Sequence, residues 1–415
     1  MNRSQSILAR DKKVVSPSLT RELRIVYKKA SGSRIWDADG KRYLDFTACV
    51  AVTSAGHNNP AVRAAIIKQL KDGVHCCFSD FYAEVPVAFC ERLLRAMPKG
   101  YGKVFLSNSG TEATEAAYKL ARWHTNKTYV IAFEGAFHGR TMGSLSMTNS
   151  KPVQRDRYAP FLPVLHSPFP NAIKLGMEKE ECSQHCLSVL EDRMRAVRDD
   201  LAGVFMEPIQ GEGGYIVPPE SFAKGVRKLC DDHGALLAMD DVQAGCWRTG
   251  KFLAEENFGI KADIVWLSKA LANGMPIGAT VSSDEIMDWP PGSHANTFGG
   301  NLLSCAAGIA TLDYMEKKKL GANAVRVGNH IRKRLEMMDS DKIKDIRGLG
   351  LMIGVEMNDK KMRNELIHEA FAKGLLMLPA GESVFRICPP LTLTEKEADE
   401  GLGIIEDCLA KDVKG

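Results

Sequence analysis

Two charged residues follow short apolar segments of the sequence and could do chemistry there. Lys269 comes just after the run DIVWL at 263–267, and Asp240 directly follows ALLAM at 235–239. A lysine held near apolar walls and other cations has a lowered pKa, so its neutral amine can attack a carbonyl and form a Schiff base. A carboxylate at that depth needs a cation, and a protonated ring nitrogen is one natural partner. The plain alternatives are a solvated surface lysine and an ion pair between Asp240 and a nearby Arg or Lys.

A third segment, Ser109-Gly110-Thr111-Glu112, could bind a phosphate. It follows an apolar run and precedes a helical pattern over 112–123. The free N–H groups and the positive end of a helix attract anions, and the two hydroxyls add donors. A simple capping box of Ser109 with Glu112 is the alternative. Each feature is common by itself, but a phosphate cradle, a Schiff-base lysine and a partner for a pyridinium are together what pyridoxal phosphate (PLP) requires.

These polar segments lie at the ends of predicted strands. Between about 100 and 315, short apolar runs alternate with helical patterns, which predicts an α/β domain with a mostly parallel sheet. The runs are KVFL at 103–106, YVIAF at 129–133, AGVFM at 202–206, ALLAM at 235–239 and DIVWL at 263–267. The polar groups that follow them are, in order, 109–111, 134–140, Glu207, Asp240 and Lys269. Because ligands bind outside the carboxyl ends of strands in such sheets, we expect these groups to converge on one crevice.

The sequence patterns at the two ends of the chain predict a smaller α+β domain to which both ends contribute. Residues 21–47 alternate like a hairpin or meander, with Asp39-Gly40 as the turn signal. Residues 322–415 begin with a helical pattern, continue through a strand pair in RGLGLMIGVEM and end in a charged helix. The predicted domain ranges are 56–318 for the large domain and 1–55 with 319–415 for the small one.

The composition excludes several classes of protein. The 415 residues include 55 Lys plus Arg and 51 Asp plus Glu, and this formal charge of +4 does not indicate nucleic acid or a membrane as partner. No apolar run approaches the roughly 20 residues that a spanning helix needs, and the first residues lack the apolar stretch of a secretory signal. The 11 Cys, with Cys76 and Cys77 adjacent, do not predict a disulfide framework. We expect a cytoplasmic protein without a metal site, although Cys182, His185 and Cys186 lie close together in the sequence.

A series of ordered motifs extends over nearly the whole chain. They are DFTACVAV, GHNNP, NSGTEATEAAYKLAR, FHGRT, EPIQGEGG, MDDVQAG, RTGK, SKALANGMPIGA, HANTFGGN and FRICPPL. With these motifs the sequence resembles the class III PLP-dependent aminotransferases, and among them the 4-aminobutyrate enzymes most. The resemblance implies fold type I, in which a large domain with a mostly parallel, seven-stranded sheet joins a smaller α+β domain. It also implies a homodimer, possibly a tetramer, with active sites at the subunit interface.

The resemblance assigns roles around the cofactor ring. It implies that Lys269 carries PLP as a Schiff base and later moves the proton between the substrate carbon and the cofactor. Asp240 would keep the ring nitrogen protonated, and Gln243 would hydrogen-bond the ring hydroxyl. Phe137 would stack on the ring face, and Glu207 would orient the site without touching the ring.

The phosphate and the substrate are assigned in the same way. Gly110 and Thr111 would hold the phosphate, and Thr297 would reach the phosphate of the neighbouring subunit's cofactor. The residues assigned to the substrate are Val50, Arg140, Glu212 and Arg386.

Two arginines would hold the carboxylates of the substrate. Arg386 would bind the α-carboxylate of glutamate or 2-oxoglutarate through a planar two-point contact. Glu212 would pair with Arg386 when the substrate has no α-carboxylate, and Arg140 would hold a distal carboxylate. Val50 would pack near the substrate. The alternatives are structural ion pairs for the arginines and simple core packing for Val50.

Three positions depart from the family pattern. Cys49 and Trp247 stand where glycine is common, and Asp241 replaces a usual glutamate. None of these changes removes a catalytic group, so they affect the expected substrate preference more than the chemistry. For His138, in FHGR, we expect a packed or hydrogen-bonded structural role.

The expected activity is transfer of the amino group of 4-aminobutyrate to 2-oxoglutarate. An ornithine or acetylornithine aminotransferase is one alternative, and an amino-acid racemase or epimerase on the same scaffold is another. A nicotinamide-dependent oxidoreductase is a fourth possibility, suggested by Gly348-Leu349-Gly350 and Gly354. We discount it because the spacing is not GxGxxG and the segment opens a strand.

Overall fold

The computed structural model describes residues 2–410, which form three β-sheets with helices packed around them. The strands are β1 Tyr27–Ser31, β2 Arg34–Asp37, β3 Arg42–Asp45, β4 Lys103–Ser107, β5 Tyr129–Phe133, β6 Val164–Ser167, β7 Leu201–Met206, β8 Leu236–Asp240, β9 Ile264–Leu267, β10 Gly278–Ser282, β11 Ile343–Leu349, β12 Met352–Met357, β13 Leu375–Leu376, β14 Leu378–Ala380 and β15 Val384–Ile387. The helices are α1 Arg3–Val14, α2 Ala48–Ala51, α3 Pro60–Asp72, α4 Glu84–Ala96, α5 Gly110–Thr125, α6 Met142–Met147, α7 Ala172–Leu175, α8 Lys179–Ala196, α9 Glu220–His233, α10 Leu302–Lys317, α11 Leu320–Met337, α12 Lys360–Ala372 and α13 Glu395–Leu409. No helix within 2–410 is both long enough and apolar enough to cross a membrane.

The central sheet has seven strands in the order β4-β10-β9-β8-β7-β5-β6. All of its pairs are parallel except those that β10 makes with β4 and β9. The mostly parallel sheet is therefore confirmed, and each of the five predicted strands is present within about a residue at either end. β6 and β10 were not predicted, because VLHS contains two polar residues and GATVS consists largely of small residues.

Helices cover both faces of this sheet. α5 packs a stripe of small residues against one face, where Ala113, Ala117 and Ala121 share a core with Trp266 on β9. Helices α4, α8, α9 and α10 contribute to a larger core with residues of β5, β7, β8 and β9. Because both faces are buried, the strands of the sheet are nearly continuous apolar runs, which is why the sequence predicts them well.

Residues from the two ends of the chain pack together. The short strand β13 pairs in parallel with β3, joining Leu375 to Leu44, and completes the sheet β1-β2-β3-β13. The second small sheet has the order β11-β12-β15-β14. One apolar core contains Leu44 and Phe46 together with many residues between 315 and 409. The domain ranges 1–55, 56–318 and 319–415 stay a prediction.

The segment at Gly348 is a hairpin between β11 and β12. A dinucleotide site needs a strand followed by a helix, so this geometry agrees with our rejection of the nicotinamide alternative.

Trp247 packs against both the larger core and the core that the chain ends share. Among residues 2–410 no group of His, Cys, Asp and Glu side chains is arranged to hold a metal ion.

A buried arginine ties the loop after β8 to both ends of the chain. The Arg248 guanidinium donates to the carbonyls of Leu351, at 3.0 Å, and Pro389, and to the hydroxyl of Ser54 at 2.7 Å. The side chain is almost completely buried. A buried cation is stable only where several acceptors replace water, so the contacts of Arg248 fix these segments relative to one another.

α2 is a single left-handed turn. Its four residues have φ between 44° and 63°, and none of them is glycine. Non-glycine residues adopt this conformation at a cost of roughly 1–2 kcal/mol each. α2 lies beside the 3-10 turn that begins at Lys269, and Asn273 of that region bonds to Ala55 N and Gly56 O. The strained turn therefore places Val50 close to the segment that carries Lys269.

We predict that Cys49→Gly stabilises the protein. Glycine removes the cost of φ +50° at this position, and part of the gain is lost because glycine is more flexible in the unfolded chain, so the unfolding free energy should rise by about 0.5–1 kcal/mol. Chemical unfolding followed by circular dichroism measures the change. Cys49→Ala is the control, since it removes the thiol and keeps the Cβ. Equal midpoints for the two variants would show that the turn is not strained.

Candidate active site

Lys269 begins the 3-10 turn Lys269–Ala272 just after the carboxyl end of β9. Its backbone has φ +39°, and the Ser268 hydroxyl fixes the turn by donating to Ile277 O at 2.6 Å. Burial lowers the pKa of Lys269, and the nearby Arg386 adds to the lowering, while the Asp240 carboxylate opposes it. The side chain is not the solvated surface lysine of the alternative interpretation, and a neutral amine is accessible to it at this site.

Asp240 lies at the carboxyl end of β8, where its side chain is almost completely buried. His138 Nδ1 lies 2.7 Å from Asp240 Oδ2, and Val242 N donates to Oδ1 at 3.0 Å. Within residues 2–410 no Arg or Lys forms an ion pair with Asp240, so the alternative of an ordinary pair with one of them is wrong. A carboxylate has about four acceptor positions, so Asp240 can accept a further hydrogen bond from a cationic group.

His138 has the packed and hydrogen-bonded role that was expected, but its partner, Asp240, was not predicted. Its ring is buried against Trp266, and its Nε2 has no partner among the described residues. With Nδ1 as the proton donor, the ring gives Asp240 a hydrogen bond that fixes the carboxylate. The signal was available, because His138 follows β5 among residues expected to converge on the crevice.

Glu207, which follows β7, connects two loops of the site. Its Oε1 accepts from Phe137 N at 2.9 Å and its Oε2 from Gly211 N at 2.8 Å. Burial raises the pKa of Glu207 to about 7, and the Asp240 carboxylate adds to the rise. The two hydrogen bonds hold Phe137 and the loop with Glu212 in place, which fits the predicted orienting role.

Gln243 is oriented by a residue that the sequence interpretation missed. The Tyr215 hydroxyl donates to Gln243 Oε1 at 2.8 Å, which leaves the amide Nε2 as a donor for another group. A Cβ on Gly211 would lie 2.4 Å from this Nε2, so a larger residue at this position would displace the Gln243 amide. Tyr215 carries no sequence signal, since its contact with Gln243 spans two loops.

The predicted phosphate segment forms the start of α5. The Ser109 hydroxyl caps the helix by accepting from Glu112 N at 3.3 Å. The capping box that was the alternative interpretation is only half present, because the Glu112 carboxylate accepts from Asn108 N instead of Ser109 N. The first N–H groups of a helix have no partner within the helix, so those of Gly110 and Thr111 suit an anion.

Close packing around the start of α5 explains its glycines. A Cβ on Gly110 would lie 3.0 Å from Val242, and one on Gly139 would lie 2.3 Å from the Thr111 hydroxyl. That hydroxyl is 2.8 Å from the hydroxyl of Thr141 and 2.6 Å from that of Ser144. The helix start, the hydroxyl cluster, the lysine and the carboxylate without an Arg or Lys partner together fit the phosphate, aldehyde and ring nitrogen of PLP.

Glu212 and Arg386, which were predicted to bind the substrate, lie side by side. Arg386 Nη1 donates to Glu212 Oε2 at 3.2 Å, while Lys151 Nζ lies 2.6 Å from Glu212 Oε1. Burial opposes ionisation of Glu212, but Arg386 and Lys151 outweigh it and lower the pKa of this carboxyl. The predicted pairing of Glu212 with Arg386 is present, and Lys151 is an additional partner that the sequence interpretation missed.

Three predicted residues have fewer contacts. Arg140 is exposed, and its guanidinium carbon lies 5.8 Å from the centre of the Phe137 ring. Val50 is half-buried on the left-handed turn α2. Thr297 is exposed on a loop that Asn296 anchors by donating to Leu106 O at 2.9 Å. The roles of these three residues stay predictions.

A scan against known families matches residues 15–409 to the family model described as aminotransferase class III. The chain belongs to the class III aminotransferase family. This class III aminotransferase is 40% identical over 380 residues to an acetylornithine aminotransferase from Methanopyrus kandleri, which covers 91% of this chain and 92% of the relative. It is also 35% identical to a leucine/methionine racemase from Thermococcus litoralis, over 93% of this chain and 90% of the relative.

The fold agrees with solved structures of aminotransferases. The ornithine aminotransferase from Toxoplasma gondii ME49 matches with a TM-score of 0.90 and 29% identity, over 99% of this chain and 95% of that enzyme. A second structure of the Toxoplasma enzyme is described with PLP at its active site. The present chain is thus a PLP enzyme of fold type I, as expected. The relatives do not support the expected preference for 4-aminobutyrate and favour the acetylornithine or ornithine alternative.

We predict that His138 is a positioning residue for Asp240. His138→Phe keeps an aromatic ring beside Trp266 and removes the donor, so kcat should fall about ten- to a hundredfold and PLP should bind more weakly. Steady-state kinetics and PLP titration of the apoenzyme measure the two effects. His138→Asn is the matched variant, because its amide nitrogen can replace Nδ1, and it should keep most of the activity. Equal losses in both variants would mean that the ring acts only by packing.

Proposed function

We propose that this class III aminotransferase moves the terminal amino group of an acetylornithine- or ornithine-type donor to 2-oxoglutarate. One observation carries the proposal, namely the ion pair between Glu212 and Arg386, which we call the gate pair. The names of the relatives support the donor class. A site that accepts both substrates needs a cation whose charge is available for one of them and neutralised for the other.

The gate pair can meet this requirement. The reacting carbon of a terminal amine carries no carboxylate, so Arg386 keeps Glu212 as its partner when the donor is bound. The reacting carbon of 2-oxoglutarate carries an α-carboxylate, which can replace Glu212 on the planar guanidinium. Arg140, exposed beside Phe137, is our candidate for the distal carboxylate that both substrates possess.

Bound PLP supplies an electron sink that weakens the bonds at the reacting carbon of the amine. Asp240, held by His138, provides the negative charge that retains a proton on the ring nitrogen. Lys269 Nζ is the base that takes the proton from the reacting carbon and later returns it, because burial favours its neutral form. Gln243 would hold the ring hydroxyl of the cofactor, and the start of α5 would hold its phosphate.

A panel of amino donors tests the proposal. Acetylornithine, ornithine and 4-aminobutyrate are each incubated with 2-oxoglutarate or pyruvate, and glutamate or alanine formation is measured. We expect acetylornithine or ornithine with 2-oxoglutarate to give the highest kcat/KM. A clear preference for 4-aminobutyrate would contradict the proposed donor class. A preference for pyruvate, which has an α-carboxylate but no distal carboxylate, would contradict the role of Arg140 and the choice of 2-oxoglutarate as acceptor.

An amino-acid racemase is the second candidate, because the racemase from Thermococcus litoralis matches nearly the whole chain. The apolar amino acids that such a racemase converts have no distal carboxylate for Arg140 to hold. The presence of Arg140 therefore favours transamination. Incubation with L-leucine, L-methionine or L-alanine and no oxo acid separates the two activities. Appearance of the D form would support the racemase and contradict a pure aminotransferase.

We further propose that the enzyme is a homodimer, possibly assembled into a tetramer. Phe81, Tyr82 and Phe298 are large apolar side chains that lie exposed in the single chain. The Phe298 ring is 5.1 Å from that of His75, and Gly300 packs on Phe78, so these segments share one surface next to Thr297. A contiguous apolar surface of this kind is typical of an interface between subunits.

We predict that Thr297 serves the active site of the partner subunit. Homodimers of Lys269→Ala should be inactive, and those of Thr297→Val should lose roughly tenfold or more of the activity with one charged hydrogen bond. Mixed dimers, purified with two different tags, contain one site in which both residues are intact. We expect these mixed dimers to recover up to about half of the wild-type activity. Activity no higher than the residual Thr297→Val level would show that Thr297 acts within its own chain.

A further inference from the structure

Glu212 has two cationic partners, one on each carboxylate oxygen. Lys151 Nζ is 2.6 Å from Oε1, and Arg386 Nη1 is 3.2 Å from Oε2. The side chain of Arg386 is only 8% exposed and that of Glu212 18%, whereas Lys151 is 36% exposed. The gate pair is therefore part of a cluster of three charged side chains. Lys151, the third member, is the most exposed of them.

The position of Lys151 is fixed by the segment that carries it. Lys151 precedes the 3-10 turn Pro152–Gln154, and the Ser150 hydroxyl donates to Gln154 Oε1 at 2.7 Å. Thr148, three residues earlier, accepts from His138 N through its hydroxyl at 2.9 Å, and its carbonyl accepts from Arg155. The lysine is thus anchored to the loop of His138 and is not a free surface side chain.

Opening the gate pair has an electrostatic cost that Lys151 reduces. When Arg386 turns to the α-carboxylate of an oxo acid, Glu212 loses one of its two cations. A mostly buried carboxylate without any cation is strongly unfavourable, and it would pull Arg386 back. With Lys151 on the other oxygen, Glu212 stays paired in both states.

We propose that Lys151 is a specificity-determining residue that retains Glu212 while Arg386 binds the α-carboxylate of the oxo acid. This inference rests on the proposed function of the gate pair and extends it to a residue on a different loop. Lys151 acts through Glu212 and does not contact the substrate. It therefore matters for substrates with an α-carboxylate and not for terminal amines, whose binding leaves the gate pair closed.

The test compares the two substrate classes in Lys151→Met, which keeps the length of the side chain and removes its charge. We expect KM for 2-oxoglutarate to rise about five- to twentyfold, with KM for acetylornithine unchanged within twofold. The reaction of the PLP-loaded enzyme with L-glutamate alone, followed by its absorbance, should show the same weakening and needs no second substrate. Lys151→Arg should restore wild-type values, and Lys333→Met, an exposed lysine on α11, should have no effect.

A double-mutant cycle with Glu212→Gln identifies the route of the effect. Once Glu212 has no charge, Lys151→Met should add nothing further to KM for 2-oxoglutarate. An equal rise of KM in the Glu212→Gln background would mean that Lys151 binds the oxo acid directly, which overturns the proposal. No change in Lys151→Met, or equal weakening of both substrate classes, would also overturn it.

Arg386→Ala separates this inference from the proposed function. Its KM for 2-oxoglutarate should rise several-fold to a hundredfold, because one charged contact is lost. If KM for 2-oxoglutarate rises in Arg386→Ala and not in Lys151→Met, the gate pair stands and the role of Lys151 is wrong. If Arg386→Ala has no such effect, the proposed function itself fails.

Discussion

The burial of the Lys269 amine, within electrostatic reach of the Asp240 carboxylate and the Arg386 guanidinium, governs the rest of the site. Burial favours the neutral amine, which can act as nucleophile and base, while Asp240 opposes this effect and Arg386 adds to it. Asp240 and Arg386 must therefore each be paired with a group other than Lys269, so that the lysine can still act as nucleophile and base. Asp240 has His138, which donates a hydrogen bond to it, and Arg386 has Glu212. The mostly parallel sheet places Lys269, Asp240, His138 and Glu212 together, because they lie at or after the carboxyl ends of its neighbouring strands. Arg386 comes from β15 of the second small sheet.

The substrate end of the site follows from the same constraint. Arg386 cannot stay buried without an anion, so an anion must replace Glu212 whenever the gate pair opens. The α-carboxylate of an oxo acid meets this condition and water does not. Glu212 in turn needs a cation after the exchange, which connects the chemistry at Lys269 to the loop of Lys151. In the proposed function, one buried arginine on β15 relates the choice of substrate to the segments that follow β5 and β7.

Sequence patterns predicted the positions of those candidate residues that come directly after a buried strand. Lys269, Asp240 and Glu207 each follow a buried strand, and buried strands have a clear apolar signature. The pairs of His138 with Asp240 and of Lys151 with Glu212 join different loops, and no local pattern encodes such contacts. The left-handed turn at 48–51 was also unpredictable, since Ala-Cys-Val-Ala favours ordinary backbone conformations and tertiary packing imposes the turn. The donor preference was misjudged because the motifs around the cofactor are shared between donor classes.

The central claim is that Lys269 is the lysine that binds the cofactor. Reduction of the PLP-loaded enzyme with borohydride fixes the cofactor covalently on the lysine that holds it, and peptide mapping by mass spectrometry then locates the label. We expect one pyridoxyl group per chain, on the peptide that contains Lys269. A label on any other lysine, or no label after reduction of a fully loaded enzyme, would contradict this account of the site.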